Sequence, residues 1–393
     1  MVASDFTRAA IATGAHYFSG PKERINDAAP REYPTLTWLH RGQDPKAMMK
    51  KVGAFQITDK ILLSINPRTT WTDVSTPVTA TIQENGTTHS FYWRLMRTSY
   101  AYDVYVDEHN SNVRVTADGG AQQFEDYIMD RLQEVDTDMN NFQEASYWAA
   151  PNFVTMETDG QAGLPAYSIL CHVNEFTNGL PTSIFTGGAW TQFQNIASTA
   201  TGFSHYVPYQ RSYANLTVNS PTNVISALDY AFEELRFVPP PTKAEYYEPA
   251  SNAKPPCVMF TDVTGKVQLK QLARASQDRW ENETDGYWGE PTFGGTPVVS
   301  VPTLATVLAF PTGTAGAVGT MQTTTNNKGG SRYFLINASY LKSVYDADWY
   351  MRQIPGNDPQ YPTREAVHVY TGFNNFNLSP RRHACIYPSQ NIS

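Results

Sequence analysis

The clearest hydrophobic pattern in the chain is a helical stripe between residues 121 and 149. Its apolar members are spaced three or four positions apart: Phe124, Ile128, Leu132, Val135, Met139 and Phe142. This spacing predicts one face of a long α-helix, which Asp118 can cap and which Pro151 follows. At ~1.5 Å per residue, the helix would be roughly 40 Å long.

The rest of this predicted helix is acidic. Its surface residues include Glu125, Asp126, Asp130, Glu134, Asp136, Asp138 and Glu144, and Arg131 is the only basic residue among them. A polar face opposite an apolar stripe is typical of a helix that packs on a core from one side. We therefore interpret the acidic face as solvated surface.

Alternation of apolar and polar residues predicts long β-strands between residues 75 and 116. Residues 78–83 alternate first, and Asn85-Gly86 then provides a hairpin turn. Phe91, Trp93 and Leu95 continue the alternation. A hairpin with apolar residues on both faces must either lie inside a larger sheet or pack on a neighbouring chain, because an isolated hairpin is marginally stable.

Residues 151–352 mix short helices and strands. Helices are predicted at Asn223–Phe237 and Val267–Trp280, and strands at Cys257–Thr261, Arg332–Leu341 and Val344–Met351. Leu164–Val173 reads as a short strand and turn, and residues 311–331 form a Gly- and Thr-rich loop. After residue 366, Val367, Val369, Phe373 and Phe376 alternate again, and the final strand is predicted at Ala384–Tyr387.

Residues 1 to about 70 are interrupted by prolines and contain little that could form a core of their own. Residues 1–51 contain eight Lys or Arg and five Asp or Glu, a local net charge of +3. One short helix is predicted near Pro45–Val52. The segment therefore has the character of an extended arm that lies on another surface.

Composition changes the picture because the chain is poor in charge. Charged residues make up 17% of the 393 residues and hydrophobic residues 41%, with 13% aromatic, whereas soluble domains are typically ~25% charged. The aromatic content argues against disorder, and a net charge of −8 argues against a polybasic nucleic-acid binder. Large uncharged surfaces favour permanent contact with other chains, since charged residues are depleted at interface cores.

Targeting and redox signals are weak in this sequence. It contains no run of ~18 apolar residues that would span a membrane, and its first residues lack the apolar core of a signal peptide. Cys171, Cys257 and Cys385 are odd in number and far apart. They are predicted to be free, buried thiols in a reducing compartment.

Enzyme motifs are mostly missing from the sequence. Gly265-Lys266 lacks the other residues of a P-loop, and no H-E-x-x-H or C-x-x-C occurs. Asp136 and Asp138 lie two apart on the predicted helix and do not face each other. Asp346/Asp348, next to two aromatic residues, is a candidate carboxylate pair for a sugar-cleaving site, but nothing in the sequence singles it out. Arg381-Arg382-His383 is either a charged turn between two strands or a contact for phosphates or an acidic neighbour. We predict no catalytic, cofactor-binding or metal-binding residues.

The order of these elements resembles a known family. An arm precedes a long two-stranded loop and then the helix that starts QQFEDYIMDRLQEVDTDMN; a mixed α/β region follows, and the chain closes with REAVHVYTGFNNFNLSPRRHACIYPS. This order is similar to that of the major capsid proteins of tailed double-stranded DNA bacteriophages, the Hong Kong 97-type fold. The segment SRYFLINASYLKSVYDADWYMRQIP also resembles the late portion of such proteins.

The resemblance implies an α+β fold and a role for each segment. Residues 1–74 would be the N-terminal arm, and residues 75–116 the extended loop that overlaps the next subunit. Residues 117–150 and 353–393 would form the peripheral domain, with the long helix as its spine and the C-terminal strands beside it. Residues 151–352 would form the α/β axial domain. These proteins close heterologous rings into an icosahedral shell.

The resemblance also implies partners and a location. The chain would form hexamers and pentamers of itself, with packaged DNA held non-specifically on the inner face and no membrane contact. A separate scaffold protein, a portal and a decoration protein are the expected further partners, in a virion assembled in the host cytoplasm. The chain starts with arm-like sequence, so no cleaved scaffolding segment is expected. Residues 75–116 contain no Lys, so a Lys-to-Asn crosslink from the loop is not expected either.

Three alternatives stay open at this stage. An encapsulin-like compartment would share the fold but enclose an enzyme. A carbohydrate-binding or glycoside-active protein would use the abundant Trp and Tyr residues as sugar platforms. A tail or decoration protein of a virion is the third alternative, although the long helix and α/β middle differ from an all-β module.

Overall fold

The computed structural model describes residues 33–41, 49–50, 56–62, 86–103, 119–148, 166–173, 176–177, 180–181, 192–193, 196–197, 207–216, 220–235, 257–275, 292–302, 304, 331–357 and 364–389. The helices in these ranges are α1 (Pro34–Arg41), α2 (Gly119–Tyr147, the spine helix), α3 (Ile169–His172), α4 (Val224–Leu235) and α5 (Val263–Ala275). The strands are β1 (Met49–Lys50), β2 (Gln56–Leu62), β3 (Gly86–Tyr92), β4 (Arg94–Asp103), β5 (Phe176–Thr177), β6 (Leu180–Pro181), β7 (Gln192–Phe193), β8 (Ile196–Ala197), β9 (Tyr209–Tyr213), β10 (Cys257–Thr261), β11 (Thr292–Phe293), β12 (Thr296–Ser300), β13 (Tyr333–Asn337), β14 (Leu341–Asp346), β15 (Arg352–Asn357), β16 (Arg364–Asn377) and β17 (Ala384–Pro388).

One sheet is built around the 14-residue strand β16. Strands β14 and β15 pair antiparallel with successive parts of one edge of β16, and β4 pairs antiparallel with ten residues of the other edge. Strand β1 of the arm adds a parallel neighbour to β14. Val367, Val369 and Phe373 of β16 are buried, as their alternation predicted.

The second sheet has six strands in the order β11-β12-β10-β13-β17-β9. Alternate residues of its inner strand β13 point to opposite faces of the sheet, as the pleat of a strand requires. Tyr333 and Leu335 belong to the core beneath helices α4 and α5, whereas Phe334 and Ile336 belong to the larger core shared with the spine helix. Helices thus cover one face of this sheet, and the rest of the molecule covers the other.

The spine helix and the arm helix meet at Trp148, the residue after the spine helix. The indole ring of Trp148 lies edge-on to Phe260, with 5.5 Å between ring centroids, and 5.4 Å from Phe334. Its Nε1–H donates a 2.7 Å hydrogen bond to Oγ1 of Thr35 in α1. Trp148 is fully buried, so it joins the arm helix and the spine helix to the six-stranded sheet.

The alternation predicted through Phe91, Trp93 and Leu95 breaks at Trp93, which lies between β3 and β4. Phe91 is buried, but Leu95 is exposed, and Met96 points inward in its place. Shifting a strand by one residue exchanges its faces, so the β3–β4 break turns Leu95 outward. Among the described strands, β4 forms an edge of the five-stranded sheet, where it pairs with β16, and β3 pairs with β2 of the predicted arm. Gly86 is the first residue of β3, whereas Asn85 and the strand predicted before it lie outside the described residues.

Several other sequence predictions need correction. The arm helix lies at Pro34–Arg41, with proline in its first turn, where no hydrogen bond is lost; Met49–Lys50, predicted as helix, is a strand because β14 offers it an open edge. Leu164–Val173 includes the helical turn α3 in place of a strand. Helix α5 begins at Val263 because Asp262 accepts a 3.0 Å hydrogen bond from the Gly265 N–H and caps it.

The predicted strands at 332–341 and 344–351 exist, but their boundaries differ. Asn337 Oδ1 accepts a 3.0 Å hydrogen bond from the Ser339 N–H, which ends β13 in a turn. β14 then starts at Leu341 and ends at Asp346. Helix α4, strand β10 and strand β17 match their predictions closely. The loop at 311–331 falls outside the described residues except for Ser331.

Candidate assembly surfaces

The described residues contain no cluster of catalytic side chains, so the surfaces of the molecule and the contacts that position them are the candidate functional features. Among the described residues, no group of His, Cys, Asp and Glu could hold a metal ion. Within the same ranges, no helix is long and apolar enough to cross a membrane. None of the three cysteines forms a disulfide bond; Cys171 and Cys385 are buried as predicted, whereas Cys257 is partly exposed. Burial raises the pKa of Cys171 to about 12.

A buried polar network fixes the spine helix against the five-stranded sheet. Gln143 Nε2 donates to the hydroxyl oxygens of Tyr147 and Tyr345. The Tyr147 hydroxyl in turn lies 2.7 Å from Ser343 Oγ, which donates a 3.0 Å bond to Asn375 Oδ1. All five side chains are buried. Desolvation raises the pKa of Tyr147, so its hydroxyl stays protonated and available to the network.

Strand β16 also holds the segment before α3, through the adjacent residues Asn374 and Asn375. Asn374 Oδ1 accepts a 2.8 Å bond from the Tyr167 N–H, and Asn375 Nδ2 donates a 2.6 Å bond to the Tyr167 carbonyl. Asn374 Nδ2 donates to the Tyr92 carbonyl at 2.8 Å. Two side-chain amides therefore replace a backbone ladder and tie β16 to the end of β3. Sequence reasoning missed this pair, because neither residue matches a motif and each partner is distant in sequence.

Glu144 anchors the arm helix and is not part of the acidic surface. Its carboxylate oxygens accept bonds from the backbone N–H groups of Thr35 and Leu36, at 3.1 and 2.9 Å. Those N–H groups belong to the first turn of α1, where no intrahelical acceptor exists. Burial raises the pKa of Glu144, and the hydrogen bonds from Thr35 and Leu36 oppose that rise. The prediction that Glu144 is a surface residue is wrong.

The remaining acidic face of the spine helix is exposed over its described side chains. Glu134 and Asp138 are exposed, and Asp136 is half-buried. Arg131 pairs with Glu134 at 2.7 Å, and Thr98 donates a 3.0 Å bond to Asp138. Leu132, Val135 and Met139 are buried as predicted, but Phe142 is 45% exposed. The buried stripe continues at Gln143 in place of Phe142, because four residues return closer to the same helix face than three do here.

The five-stranded sheet has an exposed side. Leu95, Arg97, Ser99 and Ala101 of β4 alternate with inward residues and are all exposed. The turn at 347–351 lies across this sheet, and a Cβ atom on Gly372 would come within 2.9 Å of Asp346 Cβ. Trp349 in this turn packs edge-on to Tyr370 at 6.0 Å, with the Arg352 guanidinium 4.6 Å from its ring centroid. This face offers aromatic and cationic groups to another molecule.

The other candidate residues from the sequence do not form a reactive site. Asp346 Oδ1 accepts a 3.0 Å bond from the Asp348 N–H, so these two carboxylates belong to a turn. Arg381 and Arg382 end a 3-10 turn, but His383 is buried and hydrogen-bonded to Asn337 and Asn377. The predicted basic cluster is therefore two arginines on a turn, and the histidine belongs to the core.

No family model matches the sequence, and no curated protein is significantly similar to it. Solved structures are similar in fold. A chain of the cyanophage A-1(L) capsid asymmetric unit superposes with a TM-score of 0.52 at 10% identity, covering 94% of this chain and 96% of that chain. The chain has the Hong Kong 97-type capsid fold. This confirms the predicted α+β class and the resemblance in fold.

Two further structures align over similar lengths of the chain. One comes from Mycobacterium phage Ogopogo, with a TM-score of 0.46 at 12% identity over 95% of this chain and 99% of that chain. The other is the holo-SrpI encapsulin complex from Synechococcus elongatus, with 0.44 at 10% identity over 96% and 94%. The two sheets each contain strands from both sides of the predicted division at residue 352. Strand β14, before residue 352, lies beside β16, whereas β17, after it, lies in the six-stranded sheet.

Proposed function

We propose that this chain is the major capsid protein of a tailed double-stranded DNA phage, a structural subunit without catalytic function. The observation that carries the proposal is the capsid fold itself, which extends over 94% of this chain and 96% of the cyanophage capsid chain. Near-complete coverage of both chains means that the whole molecule, and not one shared module, has this fold. The subunit would reside in the virion after assembly in the host cytoplasm.

Assembly would use the arm and the extended loop. The loop is best placed at the β2–β3 pair, because β4 is paired with β16 over ten residues of the five-stranded sheet. The arm helix lies on its own subunit through Thr35 and Leu39, which are buried. Residues 1–32 then remain the part of the arm that would reach neighbouring subunits.

The two sheets suggest revised domains for this proposal. The peripheral domain would contain the spine helix and strands β4, β14, β15 and β16. The axial domain would contain the six-stranded sheet with helices α4 and α5, including the last strand β17. Hexamers and pentamers would form around the axial domains, as the heterologous contacts of a closed shell require.

The proposed partners follow from this role. Copies of the chain itself are the main partner, and a scaffold protein, a portal and a decoration protein are further candidates. Double-stranded DNA would lie against the inner face without sequence recognition. The charge-poor composition supports subunit contacts over direct nucleic-acid binding, because phosphate contacts need Lys and Arg.

Expression of the full chain with the adjacent genes of its genome tests the proposal. We expect closed particles by negative-stain electron microscopy, and nuclease-protected DNA in particles from infected cells. Particles that enclose a protein cargo in place of DNA would support the encapsulin-like alternative. A chain that stays monomeric with every partner, and binds glycans, would contradict a shell role.

A further inference from the structure

Helices α4 and α5 carry opposite charges. Helix α4 contains three acidic residues, Asp229, Glu233 and Glu234, and no basic residue. Helix α5 contains three basic residues, Lys266, Lys270 and Arg274, and no acidic residue. The two helices have 12 and 13 residues, so both are close to 20 Å long at ~1.5 Å per residue. They are matched in length and complementary in charge.

Both helices cover the same face of the six-stranded sheet but over different strands. Helix α4 packs mainly on β9 and β17, and β9 is one edge of the sheet. Helix α5 packs on β12 and β10, toward the other edge. Arg211 of β9 lies 3.8 Å from the ring centroid of Tyr230, so that ring marks the β9 edge. With Arg211 counted on the α4 side and Asp262 on the α5 side, the first side stays net acidic and the second net basic.

Each helix also exposes large apolar side chains beside its charges. Tyr230 of α4 is 54% exposed, next to the exposed Glu233 and Glu234. Val263 and Val267 of α5 are 50% and 46% exposed, and Lys270 lies on the same exposed stripe. Half of the large hydrophobic residues exposed in the described chain lie on these two helices. An apolar centre with charged surroundings is the composition of a protein–protein interface.

We propose that the α4 face of one subunit docks on the α5 face of the next copy, around the axis of a capsomer. This inference rests on the proposed shell function and names the contact that builds the ring. A two-fold contact made through only one side of this layer would place α4 on α4 or α5 on α5, which sets like charges against each other. A head-to-tail contact pairs the acidic helix with the basic helix, and such a heterologous contact closes a ring when its rotation closes.

Charge exchange between the two helices tests the contact. The variant E233K/E234K changes α4 from −3 to +1, and K266E/K270E changes α5 from +3 to −1 by the same residue counts. We expect each variant alone to lower the yield of rings and shells at least tenfold. The variant with all four substitutions restores opposite charges on the two helices and should return the yield to within about threefold of wild type, because the like-charge repulsion of each separate variant is removed. Native mass spectrometry and negative-stain microscopy measure both yields.

Circular dichroism and thermal melting of each monomer provide the folding control. If a charge-reversed variant does not fold, the neutral variant E233Q/E234Q replaces it and should give a lower ring yield than wild type. The ring yield of wild type should also fall as the salt concentration rises. Single reversals that assemble as wild type does would overturn the proposal. The proposal would also be overturned if the variant with all four substitutions did not regain the wild-type yield. It would likewise be overturned if E233K/E234K or K266E/K270E formed normal rings but no longer bound a co-expressed scaffold protein. A wild-type chain that forms no rings would instead contradict the shell function.

Discussion

His383 shows how a single buried residue couples this fold to pH. Its Nδ1 accepts a 3.1 Å hydrogen bond from the Asn337 N–H, and its Nε2 lies 3.2 Å from Asn377 Oδ1. The proton of the neutral ring therefore sits on Nε2. Burial, and then the nearby His172, lower the pKa of His383 to about 3. A second proton on Nδ1 would point at the Asn337 N–H, so the core accepts the neutral ring only.

This arrangement predicts acid sensitivity from one residue. The unfolded chain binds a proton on this histidine below its ordinary pKa of 6.5, whereas the folded chain does not until about pH 3. The contribution of His383 to the free energy of unfolding is therefore fully present above pH 6.5. It decreases as the pH falls toward 3, by up to ~1.4 kcal/mol per pH unit. Urea denaturation of wild type and H383Q between pH 7.5 and 4.5 measures it.

The glutamine variant keeps a polar side chain but cannot gain this proton. We expect H383Q to be less stable than wild type at pH 7.5, and the difference to shrink as the pH falls. A difference that stays constant across this range would show that His383 does not set the pH dependence.

At the scale of elements, Glu144 decides whether the arm helix stays on the subunit. Removing the carboxylate in E144A leaves the buried N–H group of Thr35 and the partly buried N–H group of Leu36 without their acceptor. Each unsatisfied group costs about 1–3 kcal/mol, so the free energy of unfolding should fall by at least ~1 kcal/mol. Guanidinium denaturation measures the loss. The matched control is E134A on the exposed side of the same helix, which should stay within ~0.5 kcal/mol of wild type.

The break at Trp93 gives a second element-scale prediction. Phe91 stacks on Phe376 with 5.2 Å between centroids and is fully buried, whereas Leu95 is exposed. We expect F91A to lower the unfolding free energy of the monomer by ~3–5 kcal/mol, and L95A to change it by less than ~0.5 kcal/mol. Chemical denaturation of both variants checks the pair. Equal losses would mean that the two side chains lie on the same face.

Periodicity predicted the elements but not the contacts between them. The spine helix and β16 were found because their apolar residues repeat at 3.6 and 2 positions. The alternation predicts the wrong face for Leu95, because the apolar pattern continues unchanged through the one-residue break at Trp93. Asn374 and Asn375 were missed because their partners, Tyr167 and Tyr92, are distant in sequence. Pairings of this kind become visible only when the chain is folded.

At the scale of the whole molecule, the net charge of −8 is a sum over separate surfaces. The spine helix and α4 are acidic, α5 is basic, and arginines lie on the open side of the five-stranded sheet. A subunit of the proposed shell would meet neighbours, solvent and DNA on different sides, so such separation would have a physical use. The acidic side of the spine helix would suit the face toward packed DNA, where like charge prevents adhesion.

This assignment of the spine helix is tested by charge reversal. Glu134 and Asp138 are exposed, so E134K/D138K should fold and assemble like wild type. If their face points to the lumen, the new lysines contact phosphates, and disrupted shells should retain more DNA at low salt and release it as salt rises. E134Q/D138Q removes the repulsion without adding a phosphate contact, so its retention should lie between the two. Retention that matches wild type at every salt concentration would place this helix on a face that DNA does not touch.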